Sequence, residues 1–236
     1  MRDGARPEGT RMGMKLEQIP LRARKRAKTR QALMAALATR LAERPLSDIS
    51  ASELAADAEV STATFFNYFP SKEALLVYFV QMWSLRMHAM ARVIQTEHDS
   101  ALSAIEALFV TTGGWTAVSP NIMLEIIAQQ ARGGQSELVT ELEEADRLIF
   151  LPDDPDPMSL HDKGLGAILT TLITEAIARG ELPQDTDVQT ALLGAASIFF
   201  GIPLLLGRTA PEAIVPMYRT QLAYLWAGLQ QQGDRS

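Results

Sequence analysis

Ser50-Ala51-Ser52-Glu53-Leu54-Ala55-Ala56-Asp57-Ala58-Glu59-Val60-Ser61-Thr62-Ala63-Thr64-Phe65-Phe66-Asn67-Tyr68-Phe69-Pro70-Ser71-Lys72 reads as two short helices joined by a tight turn, followed by the start of a third. Ser50 and Glu53 have the S-x-x-E spacing of a capping box, in which each side chain satisfies an orphan backbone N–H. Ile49 and Leu54 flank that cap as a hydrophobic staple. Val60 plugs the turn, Ser61 caps a second helix, Pro70 stops it, and Ser71 caps a third. Phe65 and Phe69, four residues apart, share one face and are expected to pack inward. This is the layout of a helix-turn-helix, which places one helix in the DNA major groove.

Working outward, the basic residues Arg22, Arg24, Lys25, Arg26, Lys28 and Arg30 lie just upstream. The chain of 236 residues has a formal net charge of −6, which taken whole argues against a polyanionic partner. The distribution reverses that argument. Residues 1–30 carry ten Lys/Arg against three Asp/Glu, whereas residues 31–236 carry twelve against twenty-five. Such polarity is expected when one end meets phosphate and the other does not; a solvated basic tail is the alternative. Basic side chains at a helix N-terminus also oppose the macrodipole unless an anion arrives.

There is no Cys, which excludes disulfides and cysteine-based metal or nucleophile chemistry. Met1 to Arg30 lacks the apolar core of a signal peptide, so a cytoplasmic location is expected. Residues 1–20 have no apolar period and read as a disordered basic tail. A first helix is predicted from Arg22 to Glu43, with Leu33, Leu37 and Leu41 on one stripe. A long helix follows from Ser71 to about Ile94. Further helices are predicted from Ser100 to Thr112 with a stop at Gly113-Gly114, from Ser119 to Gly133-Gly134, and from Ser136 to Phe150. A rigid acidic loop spans Pro152 to Pro157. The remaining helices are Ser159–Arg179, Asp187–Leu206 and Pro211–Gln231. No β-alternating run stands out. The chain reads as all-α with nine or ten helices.

Leu54-Ala55, Val60-Ser61, Thr64 and Phe66-Asn67-Tyr68-Phe69-Pro70-Ser71-Lys72-Glu73-Ala74-Leu75 resemble the DNA-binding domain of TetR-family transcriptional regulators. The likeness covers roughly residues 22–80. It implies an all-helical homodimer that binds a palindromic operator in double-stranded DNA, with a helix-turn-helix domain over 21–72 and a ligand-binding and dimerisation domain over 73–236. Ligand binding in such proteins moves the helix that starts at Ser71 and usually releases DNA; most members repress and some activate. By position, Ser50, Ala51 and Ser52 are expected near phosphates. Thr62, Ala63 and Thr64 are expected at base edges, Phe66, Asn67 and Tyr68 by the backbone or groove, and Lys72 at a phosphate. Two departures stand out. Phe66 replaces a common Tyr, and Glu59 occupies a turn position where Gly is frequent. A left-handed Glu59 costs about 1 kcal/mol, so a shifted turn is expected there. Tyr68 as plain core and Asn67 as a solvated residue are the competing readings.

Trp83, Met87, Met90, Phe109, Thr112, Trp115, Met123 and Ile127 are candidates for an effector pocket, with plain core as the alternative. Such a pocket would suit an apolar or amphipathic small molecule. Gly194, Ser197 and Gly201 form a small-residue stripe. With Ile198, Leu205, Tyr218, Leu222, Trp226 and Leu229 they are candidates for a dimer interface; a buried monomer core is the alternative. Val188 to Gly207 holds no charge and is long enough to span a bilayer, which leaves a membrane-attached helical adaptor as a rival function. His88, His98 and His161 lack metal-ligand spacing, and Gly164-x-Gly166 lacks the strand and third glycine of a phosphate loop. Neither a cofactor, a metal nor catalysis is expected.

Overall fold

The computed structural model describes residues 16–132, 141–160 and 164–233. These contain ten α-helices and no strand: α1 (Leu21–Glu43), α2 (Ala51–Asp57), α3 (Thr62–Tyr68), α4 (Lys72–Glu97), α5 (Ala101–Val118), α6 (Pro120–Ala131), α7 (Glu144–Phe150), α8 (Gly164–Ala178), α9 (Val188–Leu206) and α10 (Ile214–Gly233). Residues 1–15 of the expected basic tail, the break at Gly133-Gly134, the start at Ser136 and His161 lie outside the described residues.

The local signals of the opening stretch are realised. Ser50 Oγ accepts from the Glu53 N–H at 3.2 Å, and a Glu53 carboxylate oxygen accepts from the Ser50 N–H at 2.9 Å. Arg44 also donates to Glu53 at 2.5 Å. The guanidinium first, then the Ser50 N–H and hydroxyl, hold the Glu53 carboxyl down at about 2. Ser61 and Ser71 accept from the N–H groups of Thr64 and Ala74, as N-caps do. The expected shift of the turn does not occur. Glu59 takes the left-handed conformation at φ 56°, because the Val60 N–H must reach back to the Ala55 carbonyl at 2.9 Å while its side chain packs on the core.

Two apolar cores form, and α4 runs through both. The first gathers Leu33, Leu37, Leu41, Leu54, Phe65, Phe69 and Leu75 from α1 to α4. Phe65 and Phe69 both face inward, their ring centroids 6.3 Å apart. The second core joins the later half of α4 to α5, α8, α9 and α10. At its centre the Phe199 ring meets Phe109 edge-on at 5.0 Å and stacks with Tyr218 at 6.0 Å. The Tyr218 hydroxyl donates to the Phe199 carbonyl at 2.6 Å, and burial pushes its pKa upward.

Helix α5 corrects the sequence reading, since it continues through Gly113-Gly114 to Val118. Gly113 serves close packing instead of a stop: a Cβ there would stand 2.9 Å from the Tyr218 ring. The segment read as a helix from Ser136 to Phe150 is helical only from Glu144 among its described residues. Helices α5 and α9 are long and apolar enough to cross a membrane by length and composition. In this fold α9 buries Ala191, Ala195, Phe199 and Ile202 in the second core.

Phe199→Ala is expected to lower stability by about 3–5 kcal/mol, through lost transfer energy plus a cavity; urea unfolding checks this. Glu59→Gly is expected to raise stability by about 1 kcal/mol by removing the left-handed strain. An unchanged or lower unfolding midpoint would contradict that account of the turn.

Candidate nucleic-acid interface and effector groove

Helix α3 presents Thr62, Ala63, Phe66 and Asn67 outward, while Phe65 anchors it from below. Thr64 is half-buried and its hydroxyl pairs with that of Ser61 at 2.8 Å. Tyr68 is half-buried and packs on the first core with part of its side chain. Opposite α3 stands the N-terminal half of α1. Between them lies a concavity of about 840 Å³, lined by Arg22, Lys25, Arg26 and Arg30 on one side and Thr64, Asn67 and Tyr68 on the other. Residues 22, 26 and 30 share one helix face at four-residue spacing, with 25 beside them. Lys28 is exposed and Arg24 half-buried, and neither lines the concavity.

The four cations of the concavity are not equivalent. Arg30 is buried, and its Nη1 donates to Asp146 of α7 at 2.8 Å. Its charge is therefore answered inside the protein by a carboxylate. Arg26 donates to Glu143 at 2.5 Å. Arg22 and Lys25 are exposed, with no ion pair among the described residues. Lys72 is also engaged within the protein. Its ammonium donates to the carbonyls of Leu46, Ser47 and Ile49 at 2.7, 3.1 and 2.9 Å. Three hydrogens meet three carbonyls, so the residue fixes the loop before α2. Ser50 and Ser52 are exposed at the start of α2, and Ala51 is half-buried.

Farther along α4 a second concave region opens. Trp83, Thr112, Trp115 and Met123 line a small inner cavity of about 160 Å³. An outer groove of about 810 Å³ lies between Arg86, Met90 and Val93 of α4, Trp115 of α5 and the segment Phe150–Pro155. Trp115 borders both spaces, and the Arg86 guanidinium sits 5.6 Å from its ring centroid. The α4 residues 79, 83, 86, 90 and 93 form one helical stripe along both. Of the other pocket candidates, Met87 and Phe109 are fully enclosed core residues, and Ile127 packs against the second core. The sequence reading missed Arg86 and the groove wall at 150–155, because a lone Arg and an acidic loop carry no pocket signal before folding.

The residues expected at a dimer surface fall into two groups. Tyr218, Leu222, Trp226 and Leu229 point into the protein's own core. Ile198 packs on that core, and Gly194 faces Leu225 of α10, so close that a Cβ would lie 2.9 Å from it. Ser197 and Leu205 are exposed, and Gly201 has open space beside it. The outward apolar residues of these two helices are Leu193, Leu204, Leu205, Met217 and Tyr224.

Comparison with known proteins agrees with this geometry. Residues 33–79 match the family described as bacterial regulatory proteins, tetR family. Over 46 residues the chain is 50% identical to the HTH-type transcriptional regulator EthR of Mycobacterium tuberculosis. That stretch is 20% of this chain, and the chain spans 21% of the length of the curated relatives it matches. Among solved structures, Thermus thermophilus FadR, a TetR-family transcriptional repressor in complex with lauroyl-CoA, superposes with a TM-score of 0.60 at 19% identity, covering 85% of this chain and 94% of that one. FadR of Bacillus halodurans, a fatty acid degradation regulator, gives 0.63 at 18% identity, covering 86% and 96%. At these identities the likeness speaks for the fold. Residues 33–79 thus carry a helix-turn-helix of the kind found in bacterial regulatory proteins of the tetR family, and the all-helical architecture around it is similar to that of TetR-family regulators of known structure.

Proposed function

We propose that the chain is a cytoplasmic, ligand-responsive transcriptional repressor that binds a palindromic operator as a homodimer and is released by a small apolar or amphipathic effector. One observation carries the DNA part: the outward face of α3 and the exposed cations Arg22 and Lys25 border one concavity. Arg22 and Lys25 neutralise phosphates, which sets affinity and register; Thr62, Ala63 and Thr64 read base edges. Phe66, 53% exposed, meets a sugar or a thymine methyl. The two-fold symmetry that a palindrome demands is supplied by the outward apolar stripes of α9 and α10, Leu193 to Leu204 and Met217 to Tyr224, in a four-helix arrangement.

The effector occupies the groove beside Trp115. Its walls are apolar over most of their length, and Arg86, beside the Trp115 ring, offers a cation in the outer groove. An acyl chain with an anionic headgroup satisfies both features, and a structural neighbour is described in complex with lauroyl-CoA.

Lys25→Ala is expected to weaken binding to every duplex and to flatten the log affinity versus log salt slope by about 1.8 per dimer, at about 0.9 per phosphate. A slope equal to that of the unaltered chain refutes the contact. Thr64→Ala is expected to reduce preference for the operator over random duplex more than it reduces affinity for random duplex; equal losses count against base reading. Lauroyl-CoA is expected to alter tryptophan emission, and Arg86→Ala to weaken it about tenfold, or 1.4 kcal/mol, while leaving 1-dodecanol unaffected in calorimetry.

A further inference from the structure

Helix α7 reaches both sites. At its N-terminal end Asp146 has a fully enclosed side chain. Its carboxylate accepts from Arg30 at 2.8 Å, from the Tyr78 hydroxyl at 3.0 Å and from the Glu143 N–H at 2.9 Å. Burial first, and the Asp146 charge second, push the Tyr78 pKa upward, so the phenol stays a donor. Glu143 holds Arg26, and Ala145 packs with Ile19 and Ala27 in a small separate core on α1. One short element therefore holds the inner half of the DNA-facing arginine row.

The other end of α7 enters the effector groove, where Phe150, Leu151, Pro152 and Asp154 form a wall. Asp154 is paired with Arg92 of α4. The returning chain is tied to the helix itself, since Arg147 donates to the Leu160 carbonyl at 2.7 Å. Seven residues at about 1.5 Å each make a strut of roughly 10 Å. Its ends are both pinned, and its middle is hydrogen-bonded, so displacement of one end is carried to the other.

We propose that Glu143 and Asp146 are positioning residues for DNA binding, and that α7 is the part through which the groove at Phe150–Asp154 acts on α1. The two carboxylates set the pitch of α1 against α3, and so the spacing of Arg22 and Lys25 from Thr64. A molecule in the groove that displaces the 150–154 wall withdraws this support and lowers DNA affinity. The inference rests on the DNA-binding function proposed above. It is distinct from a shift of α4 alone, because its carriers are the carboxylates of Glu143, which caps α7, and of Asp146 within it.

A double-variant cycle tests it without any effector. Asp154→Asn loosens the groove end, and Glu143→Gln the α1 end; the two residues share no partner, so independent effects would add within about twofold. Each single variant is expected to raise the Kd for operator duplex by about fivefold, the low end of typical coupling. The double variant is expected to be no weaker than the worse single one. Additive losses, or no loss on Asp154→Asn, overturn the proposal. Arg92→Gln replaces Asp154→Asn if that chain fails to fold. Hydrogen exchange on the free protein gives a second reading that needs no DNA: amides of residues 21–30 are expected to exchange faster in both single variants, while α9 and α10 keep their rates. Faster exchange there with no duplex binding by the unaltered chain would overturn the DNA-binding function and keep the strut; unchanged exchange overturns the strut.

Discussion

The structure depends on α4 belonging to two cores at once. Its 26 residues extend roughly 39 Å at about 1.5 Å per residue. Leu75, Leu76, Tyr78, Met82 and Leu85 close the small core beneath the helix-turn-helix, and Met87, Ala91 and Ile94 enter the larger one. Helices α1 to α3 alone bury too little apolar surface to be stable. Sharing a helix with the larger core gives them a fixed platform, and it makes the position of α3 a property of the whole chain.

Charge is arranged with the same economy. The basic N-terminal segment looks, in sequence, like six equivalent cations. In the fold, burial sorts them. Arg30 is enclosed, and an enclosed guanidinium without a counter-charge is unfavourable by several kcal/mol; Asp146, with Tyr78 and a backbone N–H, answers it. Arg26 is half-buried and leans on Glu143. Arg22 and Lys25, nearer the helix start, remain open. The acidic surplus of residues 31–236 thus has a local use at α7.

The aromatic centre of the second core explains why Tyr218, Leu222, Trp226 and Leu229 turn inward. Tyr218 stacks on Phe199 and donates to its carbonyl, which locks α10 against α9 and α5. That fixes the helix rotation: residues 218, 222, 226 and 229 go in, and 217 and 224 go out. The stripe that reads as apolar in sequence is the inner one. The outer one, interrupted by Thr220 and Gln221, is fainter.

The sequence alone determined the helix-turn-helix, since capping boxes, serine N-caps, a proline stop and a Phe65/Phe69 pair act over three or four residues and need no distant partner. It also determined the all-helical class, because the apolar period of each long helix is local. What only the tertiary structure decided are the pairings across long sequence separations: Arg30 with Asp146, Lys72 with the carbonyls before α2, Trp115 beside Arg86 and the 150–154 wall. Gly113 shows the boundary between the two. Its backbone freedom reads locally as a helix stop, yet the ring of Tyr218, more than a hundred residues later, makes it a place of close contact inside a continuous helix. Periodicity states that a residue has an inward face; only packing states what lies there, because which helices meet is set by the whole core at once.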